Sequence, residues 1–167
     1  MSTITTNTEK ELFIKMVLSN WELQISRMNN LLGKLSDEEL SAQTAPGRNT
    51  GVYLLGHLAA VSDGLFTFLG VGERLNPAMD DIFLRKPDNS GIEKPSIVEL
   101  KEYWNKVNAL LADKIGQIQP DEWFTRHTAV SEEDFVKEPH RNKLNIIINR
   151  TNHLSYHLGQ LAYLVKK

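Results

Sequence analysis

The sequence predicts an all-α protein, a four-helix bundle with long crossover connections. Apolar residues recur at three- and four-residue steps along four long segments, and no segment shows the alternating pattern of a β-strand. Helices of about 20 residues span roughly 30 Å, a length that suits a bundle. The length of 167 residues, 41% of them hydrophobic and 24% charged, is typical of one soluble domain. We therefore expect a single domain over residues 1–167, with residues 1–8 as a flexible tail.

The first half of the chain predicts two long helices. The first extends from about Glu9 to Leu35, because Thr8 and Glu11 form the pattern of a capping box before an amphipathic stripe. The second extends from about Thr50 to Leu69 and is apolar on nearly every side. A helix of that kind is usually buried in the core of a bundle.

The second half predicts two more long helices, each preceded by a long connection. Residues 71–95 are rich in Gly, Pro and Asp, and connections of this length often act as lids over functional sites. A capping box at Ser96 begins the third helix, which Pro120 ends. A second connection over residues 121–140 leads to the fourth helix, from about Arg141 to Lys166. The pattern leaves open whether residues 71–95 close over a site.

Charge and composition exclude several classes of function. A net charge of −2 without a clustered basic face gives no support for binding to nucleic acid or to an anionic membrane. The chain has no cysteine, and therefore no disulfide, thiolate metal site or cysteine nucleophile. No signal-peptide pattern begins the sequence, and no apolar run approaches the roughly 18 to 20 residues of a membrane span. We expect a cytoplasmic protein.

Three of the five histidines lie on predicted helices. His153 and His157 are four residues apart, so their rings project from one face of the fourth helix and can bind one metal ion. His57 lies on the most apolar helix, where a lone charged imidazole is costly to bury. Three imidazoles would leave at least one coordination position of a divalent ion open. The alternative is a set of hydrogen-bonded core histidines, and imidazole ligands alone do not choose among zinc, nickel, iron and copper.

Two segments resemble motifs of the DinB/YfiT-like superfamily. Residues 49–59, NTGVYLLGHLA, resemble that family's second helix, and residues 152–161, NHLSYHLGQL, resemble its last-helix motif HxxxHxGQ. The resemblance covers nearly the whole chain and implies a four-helix bundle, in many members a homodimer. It also implies one divalent metal ion, zinc or nickel above all, bound by His57, His153 and His157.

The resemblance implies more than one kind of chemistry. Some relatives are thiol-dependent transferases or isomerases that use a low-molecular-weight thiol such as bacillithiol or mycothiol; others are described as metal-dependent hydrolases or as stress-inducible proteins. We therefore expect a metal-dependent enzyme that acts on a small molecule by thiol transfer or hydrolysis. The alternatives are a non-enzymatic stress-response protein that binds a metal or small ligand, and a structural bundle whose core histidines are coincidental. The sequence does not identify catalytic residues.

Three polar residues are candidates for contacts with metal-bound imidazoles or with a substrate. Tyr53 lies one turn before the first predicted ligand, Asn149 lies four residues before the second, and Gln160 follows the third by three residues. Metal-bound histidines usually donate their second N–H to such a neighbour. A polar side chain at the edge of the bundle is the simpler alternative for each of them.

The remaining charged candidates are expected to lie away from the site. Arg48 and Arg150 could meet an anionic substrate, since arginine suits carboxylates, but solvated surface charge is the expected role of both. His127 and His140 fall in connections beside polar residues and are expected to be exposed. Asp63 follows His57 by six residues and is expected to point away from the metal.

Overall fold

A computed structural model of the protein describes residues 2–166, with side chains from residue 8 onward. The described residues are all-α and contain no β-strand, as predicted. The helices are α1 (Ser2–Leu32), α2 (Asp37–Ser41), α3 (Gly51–Asp63), α4 (Leu65–Leu69), α5 (Met79–Phe83), α6 (Ile97–Gly116), α7 (Glu132–Lys137) and α8 (Lys143–Leu161). Short 3-10 turns occupy Asp88–Ser90, Pro120–Phe124 and Ala162–Leu164.

The four long helices α1, α3, α6 and α8 form the bundle. The most extensive packing joins α1 to α8 and α3 to α6, and α3 also packs on α8. Most of α3 is buried, which agrees with its all-round apolar sequence. Leu54, Leu55 and Leu58 of α3 meet Trp104 of α6 in one core cluster. The second cluster contains Val107, Leu111, Trp123, Leu144 and Ile147, among other side chains.

Most of the predicted helix starts are correct. The side chain of Thr50 accepts a hydrogen bond from the backbone of Tyr53 and caps α3, and Ser96 forms a complete capping box with Glu99 at the start of α6. The first helix is the exception, since it begins at Ser2 and the capping box predicted at Thr8 does not begin it. No glycine or proline lies among residues 2–7 to stop the helix from extending that far. The expected flexibility of residues 1–8 stays a prediction.

The predicted helix over residues 50–69 is divided into α3 and α4. Gly64 joins the two, and Gly70 ends α4 with a φ of 69°, a left-handed conformation that glycine adopts without strain. The stretch Gly51–Leu69, 19 residues, is long and apolar enough to span a membrane by length and composition alone. The expectation that no run approaches that length is therefore wrong. Burial explains this apolar composition, because 67% of the stretch lies inside the bundle, as in the core helix of a bundle.

Asp63 ties the first long connection to the end of α3. Its carboxylate accepts backbone hydrogen bonds from Leu75 (2.7 Å) and Asn76 (3.1 Å). Arg74 reaches the same carboxylate at 3.4 Å and also pairs with Asp80. Asp63 is fully buried in this network and does not converge with the three histidines, as predicted.

Further along, the same connection returns to the start of α3. The Asp88 carboxylate accepts hydrogen bonds from the backbone N–H (2.6 Å) and the hydroxyl (2.8 Å) of Thr50. Between the two anchors, α5 packs directly on α3. Residues 71–95 thus lie against the histidine-bearing helix along much of its length, and closure over a site stays a prediction.

The second connection lies against the end of α4. The backbone N–H and the hydroxyl of Thr128 donate to the carbonyl oxygens of Phe68 (3.1 Å) and Thr67 (3.0 Å). These bonds draw the adjacent His127 inward, and it is only 9% exposed. The expectation that His127 is solvent-exposed is wrong for this reason, whereas His140 is exposed as predicted.

Candidate metal centre

The three histidines predicted as metal ligands converge. His57 comes from α3, and His153 and His157 come from α8. The Nε2 atom of His153 lies 3.1 Å from Nε2 of His57 and 3.1 Å from Nε2 of His157, and the candidate ligand atoms all lie within 4.8 Å of one another. Two nitrogens bound to one tetrahedral zinc-type ion lie about 3.3 to 3.4 Å apart, given bonds of about 2.0 to 2.1 Å. The cluster could therefore hold one metal ion.

Two of the rings have their second nitrogen held by an oxygen of this chain. His57 Nδ1 donates to the carbonyl oxygen of Phe83 at 2.9 Å, and His157 Nδ1 donates to the amide oxygen of Gln160 at 2.7 Å. Because both oxygens only accept, each Nδ1 carries the proton and each Nε2 presents a lone pair to the centre. His153 Nε2 faces both lone pairs but carries at most one hydrogen, so at least one of the close nitrogen pairs has no hydrogen bond. A divalent cation would satisfy all three nitrogens, and the donor set fits it.

The electrostatic environment keeps the cluster neutral. Burial lowers the pKa of His57, His153 and His157 below the usual value for histidine. The effect is largest for His153, whose pKa falls to about 4 through burial and the nearby charges of His157 and His57. Since only neutral imidazole binds a metal, the rings are in the binding form at neutral pH. The metal-holding cluster contains no carboxylate among residues 8–166, and therefore no acidic general base.

His153 differs from the other two rings in its second nitrogen. Its Nδ1 is buried and has no hydrogen-bond partner in the described part of the chain. The protein therefore does not select the tautomer of His153 as it selects those of His57 and His157.

The face of α3 that carries His57 is closely packed against α5. A Cβ atom at Gly56 would lie 2.3 Å from carbons of the Phe83 ring, so only glycine allows this approach. The Tyr53 hydroxyl lies 3.2 Å from the Phe83 carbonyl oxygen and 2.7 Å from that of Lys86. The Tyr53 ring also stacks near that of His57, with centroids 6.3 Å apart. The sequence did not reveal the part played by Phe83, because every residue has a carbonyl oxygen and no side-chain pattern marks this one.

The other candidates lie at different distances from the cluster. Gln160 contacts His157 directly, and Tyr53 reaches the cluster through the carbonyl that holds His57. Asn149 is exposed and makes no hydrogen bond to the three imidazoles in the part of the chain that the structure describes. The roles of all three in binding stay predictions.

One of the two arginines expected as surface charges is placed differently. Arg48 is exposed as expected, but Arg150 is half-buried, with its guanidinium carbon 5.7 Å from the centre of the Phe68 ring. The expectation fails because Arg150 faces the cleft between α8 and the end of α4. Spacing alone places a residue on a helix face and does not show what packs against that face.

Comparison with known proteins decides the family. The profile of the DinB superfamily matches residues 20–161, which include all three converging histidines. The chain belongs to the DinB superfamily. The crystal structure of a conserved protein from Enterococcus faecalis is similar to this DinB-superfamily chain, with a TM-score of 0.63 and 17% sequence identity over 90% of this chain and 95% of that one. At that identity the likeness shows the fold. No protein with a curated description matches the sequence.

Proposed function

We propose that this DinB-superfamily protein binds one divalent metal ion, zinc or nickel, and is a metal-dependent enzyme acting on a small molecule. The observation that carries the proposal is the convergence of His57, His153 and His157 on one point. Three protein ligands leave a coordination position for a reactant, as catalytic sites do and closed structural sites do not. All three histidines are half-buried and so keep part of their surface exposed to solvent.

Neighbouring residues of the chain would orient the metal-binding imidazoles and keep them uncharged. The Phe83 carbonyl and the Gln160 amide oxygen fix two rings with Nε2 toward the centre, and burial keeps the imidazoles uncharged. An ion bound there would lower the pKa of a thiol or water molecule that reaches it.

The nucleophile would come from outside the chain. The sequence has no cysteine, and the metal-holding cluster contains no carboxylate among residues 8–166. An external low-molecular-weight thiol, or water, is then the reactant that the site would activate. This favours thiol transfer to an electrophilic small molecule, or hydrolysis of one.

Metal content tests the first part of the proposal. Protein purified without a His tag should contain about one equivalent of zinc or nickel by elemental analysis, since a preorganised three-histidine site binds such ions tightly. His57→Ala and His153→Ala should each lose it. His140→Ala, which removes an exposed histidine from a loop, is the matched control and should retain it. Full metal content in both ligand variants would show that the cluster is not the site.

Turnover tests the second part. Thiols and model electrophiles should be conjugated faster by metal-loaded protein than by chelator-treated protein, and His153→Ala should abolish the difference. Val136→Ala, at an exposed valine of α7, is the control and should behave as the wild type. If metal binds at the cluster but no thiol or electrophile is turned over, the non-enzymatic alternative, a metal- or small-ligand-binding stress-response protein, replaces the enzyme.

We also propose that the protein is a cytoplasmic homodimer. Its support is an exposed apolar stripe on α1, where Leu12 is 59% and Met16 63% exposed, because large apolar patches often mark interfaces. Sedimentation equilibrium should show a dimer that Leu12→Glu with Met16→Glu converts to a monomer. Val136→Glu, at an exposed valine of α7, is the control. A monomeric wild type would contradict this assembly.

A further inference from the structure

A cleft of about 480 Å³ lies beside the first half of α8. One wall is α8 itself, with Asn145, Asn149 and Arg150; Phe68 of α4 and His127 of the second connection line it opposite. None of the residues that line it is acidic. Its volume falls in the usual range for small-molecule sites, roughly 300 to 1,000 Å³.

Arg150 is an unpaired donor in this cleft. Its Nε is buried without a hydrogen-bond partner, and the described residues provide it with no ion pair. Arg74, another partly buried arginine, differs from Arg150 because its guanidinium forms ion pairs with both Asp63 and Asp80. A charge taken out of water without a partner is unfavourable, so an anion that enters the cleft would gain from meeting Arg150.

The surroundings of Arg150 favour an anion as well. Arg141, the other arginine lining the cleft, pairs with Glu138 at 3.1 Å, whereas no acidic residue pairs with Arg150 in the described part of the chain. Burial, followed by the charges of Arg141, Arg126 and Arg150, lowers the pKa of His127, as expected where positive charge accumulates. The guanidinium carbon of Arg150 lies 5.7 Å from the centre of the Phe68 ring, a cation–π contact that involves no hydrogen bond of the guanidinium.

The cleft and the metal centre share one face of α8. Arg150 precedes His153 by three residues, and such residues are neighbours on a helix surface. One helical turn, about 5.4 Å, is comparable to the distance between the two ends of a small organic acid.

We propose that Arg150 binds the carboxylate of a small-molecule acid, so that the rest of the ligand extends along α8 toward the histidines. A guanidinium presents two parallel N–H donors that match a carboxylate, and the Phe68 ring lies in cation–π contact with it. The Asn149 side chain lines the same cleft, makes no hydrogen bond within the described residues, and can donate its amide N–H to the ligand. That this acid is the substrate rests on the proposed function; binding of a carboxylate by Arg150 does not.

Carboxylate binding to metal-free protein is the direct test. Full-length protein treated with a chelator is titrated with acetate, butyrate and benzoate, and with the corresponding neutral amides, by calorimetry or by NMR shifts. At least one acid should bind and its amide should not. Arg150→Gln should weaken binding of the acid roughly 10- to 100-fold, as expected for loss of charge-assisted hydrogen bonds. Arg150→Lys, which keeps the charge and loses the fork, should be intermediate.

Arg48→Gln is the matched control, since it removes an exposed arginine elsewhere, and it should bind as the wild type does. Thermal unfolding of each variant shows that it is folded, and Arg150→Lys serves if Arg150→Gln is not. Binding of no acid, equal binding of acid and amide, or equal affinity in wild type and the Arg150 variants would overturn the inference.

The two proposals fail differently. If the acids bind metal-free protein through Arg150 but no metal binds the histidines, the inference stands and the proposed function falls. If the acids bind only metal-loaded protein and Arg150→Gln has no effect, the anion meets the ion itself. In that case this inference falls and the metal site stands.

Discussion

Replacement of Gly56 by alanine should disturb the metal centre without changing a histidine. The new Cβ would lie 2.3 Å from Phe83 ring carbons, whereas ordinary contacts begin at 3.4 Å, so the ring must move by about 1.1 Å. Phe83 is 0% exposed, so other core side chains surround the ring and close packing resists its movement alone. The shift must therefore pass to the backbone of α5, whose Phe83 carbonyl accepts the 2.9 Å hydrogen bond from His57.

The size of the effect follows from these distances. A displacement of about 1 Å along the hydrogen bond lengthens the 2.9 Å His57–Phe83 contact to about 3.9 Å, beyond the roughly 3.6 Å at which a hydrogen bond is lost. Extra volume in a packed core costs about 1 to 3 kcal/mol, and loss of the partner of a metal-bound imidazole lowers metal affinity about 10- to 100-fold. Gly56→Ala should show both losses.

Two assays separate the two losses. Urea unfolding of metal-free protein measures the free energy of unfolding, and competition with a chromophoric chelator measures the metal dissociation constant. Gly159→Ala is the matched control, because a Cβ there meets no atom within 4 Å although it lies two residues from His157. It should leave metal affinity unchanged and stabilise α8 by up to about 1 kcal/mol. Wild-type metal affinity in a destabilised Gly56→Ala would show that the Phe83 carbonyl does not orient His57, and unchanged stability would refute the packing itself.

Three further predictions concern the partners of the histidines and the fold around them. Gln160→Ala should lower metal affinity about 10- to 100-fold in the chelator assay, while Gln160→Glu, which keeps an acceptor, should restore much of it; equal affinity in Gln160→Ala and wild type would contradict this role. In metal-free protein, the pKa of His153 is about 4 in the folded state and 6.5 in the unfolded chain. Between pH 4 and 6.5 the unfolded chain therefore binds more protons than the folded protein. Stability is therefore fully present above about pH 6.5 and falls as the pH drops toward 4, and His153→Gln should flatten the urea midpoint against pH; an unchanged slope would exclude His153 as a cause. Asp63→Ala removes the acceptor for the backbone of Leu75 and Asn76 and should cost about 1 to 3 kcal/mol. It should also speed hydrogen exchange of those two amides, and unaltered exchange would show that Asp63 does not anchor the connection.

Local patterns in the sequence predicted much of the fold. The capping box at Ser96 marked the start of α6 because its hydrogen bonds join residues three apart. The same kind of signal misplaced the start of the first helix at Thr8, because a favourable cap does not prevent a helix from beginning earlier. The apolar stretch Gly51–Leu69 was correctly predicted to be buried, but its length was not recognised as enough to span a membrane.

The site was predictable only in part. The i, i+4 spacing placed His153 and His157 on one face, and the motifs associated His57 with them. The burial of His127 and of Arg150 was not predicted, since each depends on a segment distant in sequence that packs beside it.

The sequence by itself determined the helices, the core position of α3 and the shared face of the two α8 histidines. Helical geometry sets these features over a few residues, whatever the rest of the chain does. Only the tertiary structure decided that His57 meets His153 across 96 positions, that a carbonyl of α5 orients it, and that Arg150 meets no acidic partner among the described residues. Those contacts arise from the packing of whole helices against one another, which depends on many side chains at once and leaves no short pattern in the sequence.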